Sequence, residues 1–156
     1  AGADFLICPD NTIHQALGHV LPQSPLPWLH IAEEVAARAA ARGLRRIGIL
    51  GTRWLVDSQV YPDKLQARGL DFVRPAPADR DLLARVIMDE LVYGVFKPES
   101  VALLQGVVAR LRDAGCDAVV LGCTELPLVL NDANCVLPTL DSTRILARAA
   151  LDRALA

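Results

Sequence analysis

The chain has 156 residues, is 53% hydrophobic and 22% charged, and carries a formal net charge of −2 with four cysteines. That length supports a substantial core in one domain or two small ones, and the near-neutral charge gives no electrostatic case for nucleic acid or for an anionic membrane. No apolar run is long enough to span a bilayer and no signal-peptide pattern opens the chain, so no membrane partner and a cytoplasmic protein are expected.

Cys8, Cys116, Cys123 and Cys135 form no Cys-x-x-Cys pair and have no zinc-type spacing to histidine. Neither a metal site nor a disulfide framework is therefore expected, and three of the four are read as buried thiols. The chain starts Ala-Gly-Ala-Asp without Met and passes at once into an apolar run, which reads as a piece of a longer protein.

In chain order, residues 4–8 read as a strand and residues 12–17 as the opening of a short helix that Pro22, Pro25 and Pro27 end, leaving a connection. Ile31, Ala32, Val35, Ala36 and Ala39 recur at helical spacing, with Gly43 as the stop. A strand at 46–50 ends in the turn Gly51-Thr52. A helix over about 56–68 and a strand at 70–73 follow. Helices from about 78 to 93 and from 97 to Gly115 lead to the buried run Ala118-Val119-Val120-Leu121. After Cys123, the run Leu126-Pro127-Leu128-Val129-Leu130 reads as a helix, and a short strand at 135–137 and a last helix at 142–155 complete the chain. Strands alternating with helices predict an α/β fold with parallel-rich sheets flanked by helices.

Two stretches share a pattern. Gly2-Ala3-Asp4 and Gly115-Cys116-Asp117 each open an apolar run, and aligning them sets Pro9 against Gly122 and Asp10 against Cys123. Carboxyl ends of parallel strands face the ligand crevice, and the start of a following helix favours an anion or thiolate. Asp10-Asn11-Thr12 and Cys123-Thr124-Glu125 are thus expected to be facing half-sites. Deprotonating a carbon beside a carboxylate needs a base on one face, an acid on the other and donors for the developing charge, and such turns can supply all three.

Pro9-Asp10-Asn11-Thr12-Ile13-His14, Gly51-Thr52-Arg53, Lys97-Pro98-Glu99-Ser100, Gly122-Cys123-Thr124-Glu125 and Pro138-Thr139-Leu140-Asp141 stand in the order and approximate spacing of the cofactor-independent aspartate/glutamate racemase family. The resemblance covers essentially the whole chain. It implies two similar α/β domains with the active site between them, and two opposed cysteines acting as acid and base without pyridoxal phosphate, metal or any other cofactor. On that map residues 1–30 are the remainder of a first domain, 31–138 the second domain, and 139–156 a C-terminal helix returning to the first. The substrate implied is a small acidic amino acid or dicarboxylate, and assembly as a homodimer is compatible with the family.

Carried over residue by residue, Cys123 resembles the second catalytic thiol, and Asn11, Thr12 and Thr124 resemble the binders of the α-carboxylate. Lys97 resembles the cation that holds a side-chain carboxylate, or else is a lysine in the first turn of a solvated helix. His14 either assists the group at position 10 or is a satisfied histidine under the sheet; the first is preferred. Glu125 is read as a cap, and Trp28, Trp54 and Tyr61 as packing. Asp10 stands where the family's first cysteine belongs. Three readings follow: a racemase with a carboxylate and a thiol as its two bases, a one-thiol decarboxylase or isomerase of small dicarboxylates, and a catalytically silent binder. An ordinary carboxylate and an ordinary thiol, with pKa values of about 4 and 8.5, rest in opposite protonation states at neutral pH, as proton exchange requires.

Overall fold

The computed structural model describes residues 2–156. β1 (Leu6–Ile7) runs into helical turns from Thr12 to Gln23, with α1 (Leu17–Val20) at their centre. The expected connection beyond them contains β2 (Trp28–Leu29), which pairs parallel with β1, Leu6 opposite Trp28. Two residues between Pro27 and His30 are too few to show a period in sequence, so this strand exists only through its partner.

α2 (Ile31–Ala41) buries the five apolar positions of its stripe completely. β3 (Arg46–Leu50) follows. The single helix expected over 56–68 is two helices, α3 (Arg53–Asp57) and α4 (Val60–Gln66). Ser58 breaks it: its hydroxyl donates to Leu55 O (2.7 Å) and accepts from Val60 N (3.2 Å), replacing helical bonds with side-chain ones. Arg74 then donates to the carbonyls of Val56 and Ser58 at 2.7 and 2.8 Å, satisfying the exposed end of α3.

β4 (Asp71–Val73), α5 (Pro77–Asp89), α6 (Pro98–Asp113) and β5 (Ala118–Leu121) stand close to expectation. The helix expected after Cys123 is only a three-residue 3₁₀ turn, Leu126–Leu128, because Leu126, Val129 and Leu130 are all pulled into the core. The strand expected at 135–137 lies instead at β6 (Thr139–Asp141). Asp132 Oδ1 accepts both the backbone N–H and the hydroxyl of Thr139 (2.7 Å each), so the polar turn 131–134 reaches past Pro138 before the strand begins. α7 (Ser142–Leu155) closes the chain.

The four longer strands form one parallel sheet in the order β4-β3-β5-β6. Side chains alternate across it with period two. Ile47, Ile49, Ala118 and Val120 face α2 and α4, while Leu50, Val119 and Leu121 face α5 and α6. The result is three layers, helices on sheet on helices. β6 belongs to this sheet, so residues 139–141, expected to lead toward the first domain, pair with β5. α7 packs on α2, and through Leu146, Ala149 and Ala150 also joins a small cluster with Phe5, Leu29 and Ile31 beside the β1–β2 pair.

The sheet order creates a crevice. After β3 the chain passes to the face of α3 and α4, whereas after β5 it passes to the opposite face, where Leu126, Val129 and Leu130 are buried. Neighbouring parallel strands whose connections leave on opposite faces form a topological switch point, the usual ligand crevice of such sheets. Gly51 and Gly122 stand there. A Cβ on Gly122 would lie 2.4 Å from Leu55 Cδ2 and 2.8 Å from Leu50 O, and one on Gly51 would lie 3.1 Å from Gly122 O. Gly122→Ala should therefore force the strand ends apart and cost about 1–3 kcal/mol, an overpacking penalty measurable by denaturant unfolding. An unchanged midpoint would mean that the ends separate freely.

Candidate active site

Four turns converge at the carboxyl end of the sheet. Gly122 N donates to Leu50 O (2.8 Å), which sets Cys123 directly beside the end of β3. Thr52 caps α3 by accepting from Leu55 N (3.3 Å), and its hydroxyl lies 3.3 Å from that of Thr12. Ser142 Oγ donates to Leu121 O (2.8 Å), and Asn11 Nδ2 donates to Ser142 Oγ (3.0 Å). The Asp10-Asn11-Thr12 turn is thereby bonded to the strand end that carries Cys123 and to the turn after β3.

The Cys123 thiol donates to Glu125 Oε2 at 2.6 Å. Burial first, and then this bond to a carboxylate, pushes the thiol pKa up to about 12. The N–H groups of Glu125 and Leu126 act in the opposite sense, favouring a thiolate. Burial pushes the Glu125 carboxyl up, but the bonds from Cys123 and Thr124 outweigh it and hold the group below its ordinary value. Cys123 therefore rests as a thiol against a carboxylate, the protonation state expected of an ordinary thiol, and the short turn that follows does not act as a helix end strong enough to draw its proton off. Glu125, read from sequence as a cap, is the thiol's partner instead. Its signal was the acidic side chain two residues after the cysteine.

Asp10 is exposed, and its Oδ1 accepts from Ile13 N (2.9 Å), capping the helical turns that follow. His14 does not reach the Asp10 carboxylate. Its Nδ1 donates to Asp10 O (2.8 Å) and its Nε2 accepts from Ile31 N (3.2 Å), so both ring nitrogens serve the backbone. The preferred catalytic reading of His14 gives way to the satisfied histidine: it fixes the Asp10 turn to the start of α2.

Asn11, expected to be a free carboxylate binder, is 3% exposed, and its Oδ1 accepts from Tyr61 OH at 2.6 Å. With Ser142 taking one amide hydrogen, a single N–H is left. Thr12 is half-buried and Thr124 exposed. Lys97 Nζ lies 3.3 Å from Glu90 Oε1, whose other oxygen accepts from Ser100 Oγ (2.7 Å). Among the described residues no hydrogen bond or ion pair joins Lys97 to the Asp10 or Cys123 turns. Tyr61 does more than pack, and Trp54 packs little, being 62% exposed. All four cysteines are free, but only Cys116 and Cys123 are buried; Cys8 and Cys135 are half-buried.

Comparison with known proteins places this thiol and its neighbouring turns in a family. A model of the Asp/Glu/Hydantoin racemase family matches residues 1–150. The chain belongs to that family. It is 33% identical over 135 residues to a glutamate racemase of Pseudomonas aeruginosa, covering 82% of this chain and 48% of that protein. It is 24% identical over 158 residues to the broad-specificity amino-acid racemase RacX of Bacillus subtilis, covering 99% of this chain and 66% of that one. The solved structure of an aspartate racemase homologue from Pyrococcus horikoshii superposes with a TM-score of 0.88 at 28% identity, over 99% of this chain and 68% of that one. The chain thus spans about half the length of the Pseudomonas racemase. No helix among the described residues of this family member is long and apolar enough to cross a membrane.

Two outcomes follow from these geometries. Glu125→Gln removes the carboxylate that opposes the thiolate, so the Cys123 titration should move down from about 12 and alkylation at pH 8 should quicken, as followed by mass spectrometry. An unchanged rate would leave burial as the sole cause. Second, burial holds His14 below its ordinary value, and burial followed by His14 and Lys64 pushes His30 down to about 4. Both are native in the neutral form. The unfolded chain takes up protons first, so their contribution is present above about pH 6.5 and is lost as pH falls, for His30 until about 4. Unfolding midpoints across pH 7.5 to 4 should fall, and His30→Asn, which keeps a cap at the start of α2, should flatten the drop.

Proposed function

We propose that the protein carrying this chain is a cofactor-independent amino-acid racemase that removes and returns the α-proton of a small acidic amino acid. The observation that carries the reading is the Cys123 thiol at the switch point, hydrogen-bonded to Glu125. The glutamate and amino-acid racemase names of the relatives support it. One proton is shared by this pair. As acid, the thiol gives its hydrogen to the α-carbanion and becomes a thiolate. As base, it first passes that hydrogen to Glu125, and the thiolate then takes the α-proton. On the opposite face Asp10 is the partner: as carboxylate it takes the α-proton when the thiol is the acid, and when the thiolate is the base it delivers, as carboxylic acid, a proton taken up from the solvent to which it is exposed, Glu125 then releasing its own proton to solvent. The free Asn11 N–H, Thr12 and Thr124 hold the α-carboxylate and, with backbone N–H groups, the charge that develops on it.

Lys97 is assigned to the second carboxylate of the substrate. That role requires it to leave Glu90 or to share the charge with it, so Lys97→Met should weaken acidic substrates far more than neutral ones. The β1–β2 unit of residues 1–30 is assigned to a first α/β domain and 31–138 to the second. Of residues 139–156, assigned to the return to the first domain, β6 still pairs with β5 of the second, and α7 makes the return and bridges the two. A cytoplasmic location and a homodimer complete the proposal.

One observation favours the one-thiol alternative, a decarboxylase or isomerase of small dicarboxylates: the Asp10 carboxylate is exposed and already occupied as a cap. Deuterium wash-in from each enantiomer of aspartate and glutamate, without added cofactor, separates the two. Cys123→Ser should reduce wash-in by at least two orders of magnitude, the usual worth of a positioned acid–base group. Asp10→Asn should stop proton removal from one enantiomer only. If Asp10→Asn leaves both directions at wild-type rates, the one-thiol reading replaces the racemase.

A further inference from the structure

We propose that Tyr61 and Ser142 are positioning residues that fix the one free N–H of Asn11 toward the substrate's α-carboxylate; the carboxylate part rests on the racemase reading above. The hydrogen bonds in this cluster can run in only one direction. Ser142 Oγ spends its single hydrogen on Leu121 O (2.8 Å), so toward Asn11 it can only accept. Asn11 must then present Nδ2 to Ser142 (3.0 Å) and Oδ1 to Tyr61, whose hydroxyl donates at 2.6 Å. A flipped amide would put its oxygen against a serine oxygen with no hydrogen to give.

Burial makes this direction rigid. Tyr61 and Ser142 are fully buried and Asn11 nearly so, and burial holds the Tyr61 hydroxyl protonated far above neutral pH. Leaving either group unpaired in such a place carries a desolvation penalty, so the cluster holds together as a unit. Two of the three groups on the Asn11 amide are thereby committed. The second Nδ2–H has no partner among the described residues, and it lies on the turn that Ser142 ties to Leu121, two residues before Cys123. A carboxylate in the crevice is the acceptor that would satisfy it. Tyr61 stands in the first turn of α4, just after the break that Ser58 and Arg74 bond.

The test uses the full-length protein and two independent readings. In nitrogen-15 spectra, one Asn11 Nδ2–H should exchange slowly with solvent, and Tyr61→Phe or Ser142→Ala should speed that exchange at least tenfold while the unfolding transition stays cooperative. Unchanged exchange in both variants overturns the proposal. In kinetics, Tyr61→Phe should lower kcat/KM about tenfold, the worth of one hydrogen bond to a charged group. The double variant Tyr61→Phe with Asn11→Ala should lose no more than Asn11→Ala alone, since Tyr61 acts through Asn11. Additive losses would show a general structural effect and overturn the proposal. Absence of turnover in the wild type would overturn the racemase reading instead, and the amide exchange would then decide the positioning claim alone.

Discussion

The approach of two strand ends, where β3 and β5 meet at Gly51 and Gly122, is the constraint from which the rest of the site follows. A Cβ at Gly122 would collide with Leu55 and with Leu50 O, and one at Gly51 would press on Leu55 and Gly122 O, so the close finish of these two parallel strands depends on glycine, at Gly122 above all. Their close finish lets Gly122 N bond Leu50 O, and that bond sets the direction of the next residue. Cys123 is therefore aimed by backbone as well as by its packing in the core. The two connections leave on opposite faces of the sheet, which makes the end of the β3–β5 pair its topological switch point. A reactive group gains from such a place because the scaffold has already been ordered by burial elsewhere, and little further entropy is lost in holding it.

The second turn is held by different means. β1 has only two residues and one parallel neighbour, far too little to fix a side chain by strand pairing alone. Buried polar groups do the work: Asn11 to Tyr61 and Ser142, Thr12 to Thr52, and His14 between Asp10 O and Ile31 N. Such bonds add little to stability individually, but leaving one unmade costs about 1–3 kcal/mol, so they act as locks against misplacement more than as glue. The two halves of the site are thus fixed by unlike forces.

Much of the sheet was legible in the sequence because it obeys short-range rules. The buried runs at 46–50 and 118–121, the helical spacing of Ile31 to Ala39 and the glycine stops all report local preference, and tertiary structure agrees with them. The failures share a cause as well. β2 exists through its partner, the break at Ser58 through a side-chain bond, and the start of β6 through Asp132 reaching seven residues ahead. The Leu126–Leu130 run has helical composition but is anchored in the core on too many sides to wind. The chemistry shows the same division. Cys123 and Asn11 stand in motifs that the sequence displays, whereas the roles of Tyr61, Ser142 and Glu125 depend on contacts across up to 131 residues or on the direction of a thiol hydrogen.

That division bears on how unequal the two faces of the crevice are. At Cys123 the thiol is buried against a carboxylate, and both features oppose loss of its proton. At Asp10 a carboxylate stands in contact with solvent and caps a turn, and both features keep it wet and partly occupied. A proton moved from one side to the other therefore does not travel between equivalent groups. In the proposed reaction the thiol acts as a base by passing its hydrogen to Glu125, which keeps the pair at one negative charge, where loss of that hydrogen to solvent would leave carboxylate and thiolate together with two. In that reaction Glu125, and not solvent, is the route for the thiol hydrogen, and the switch point between β3 and β5 is where this chain holds the pair.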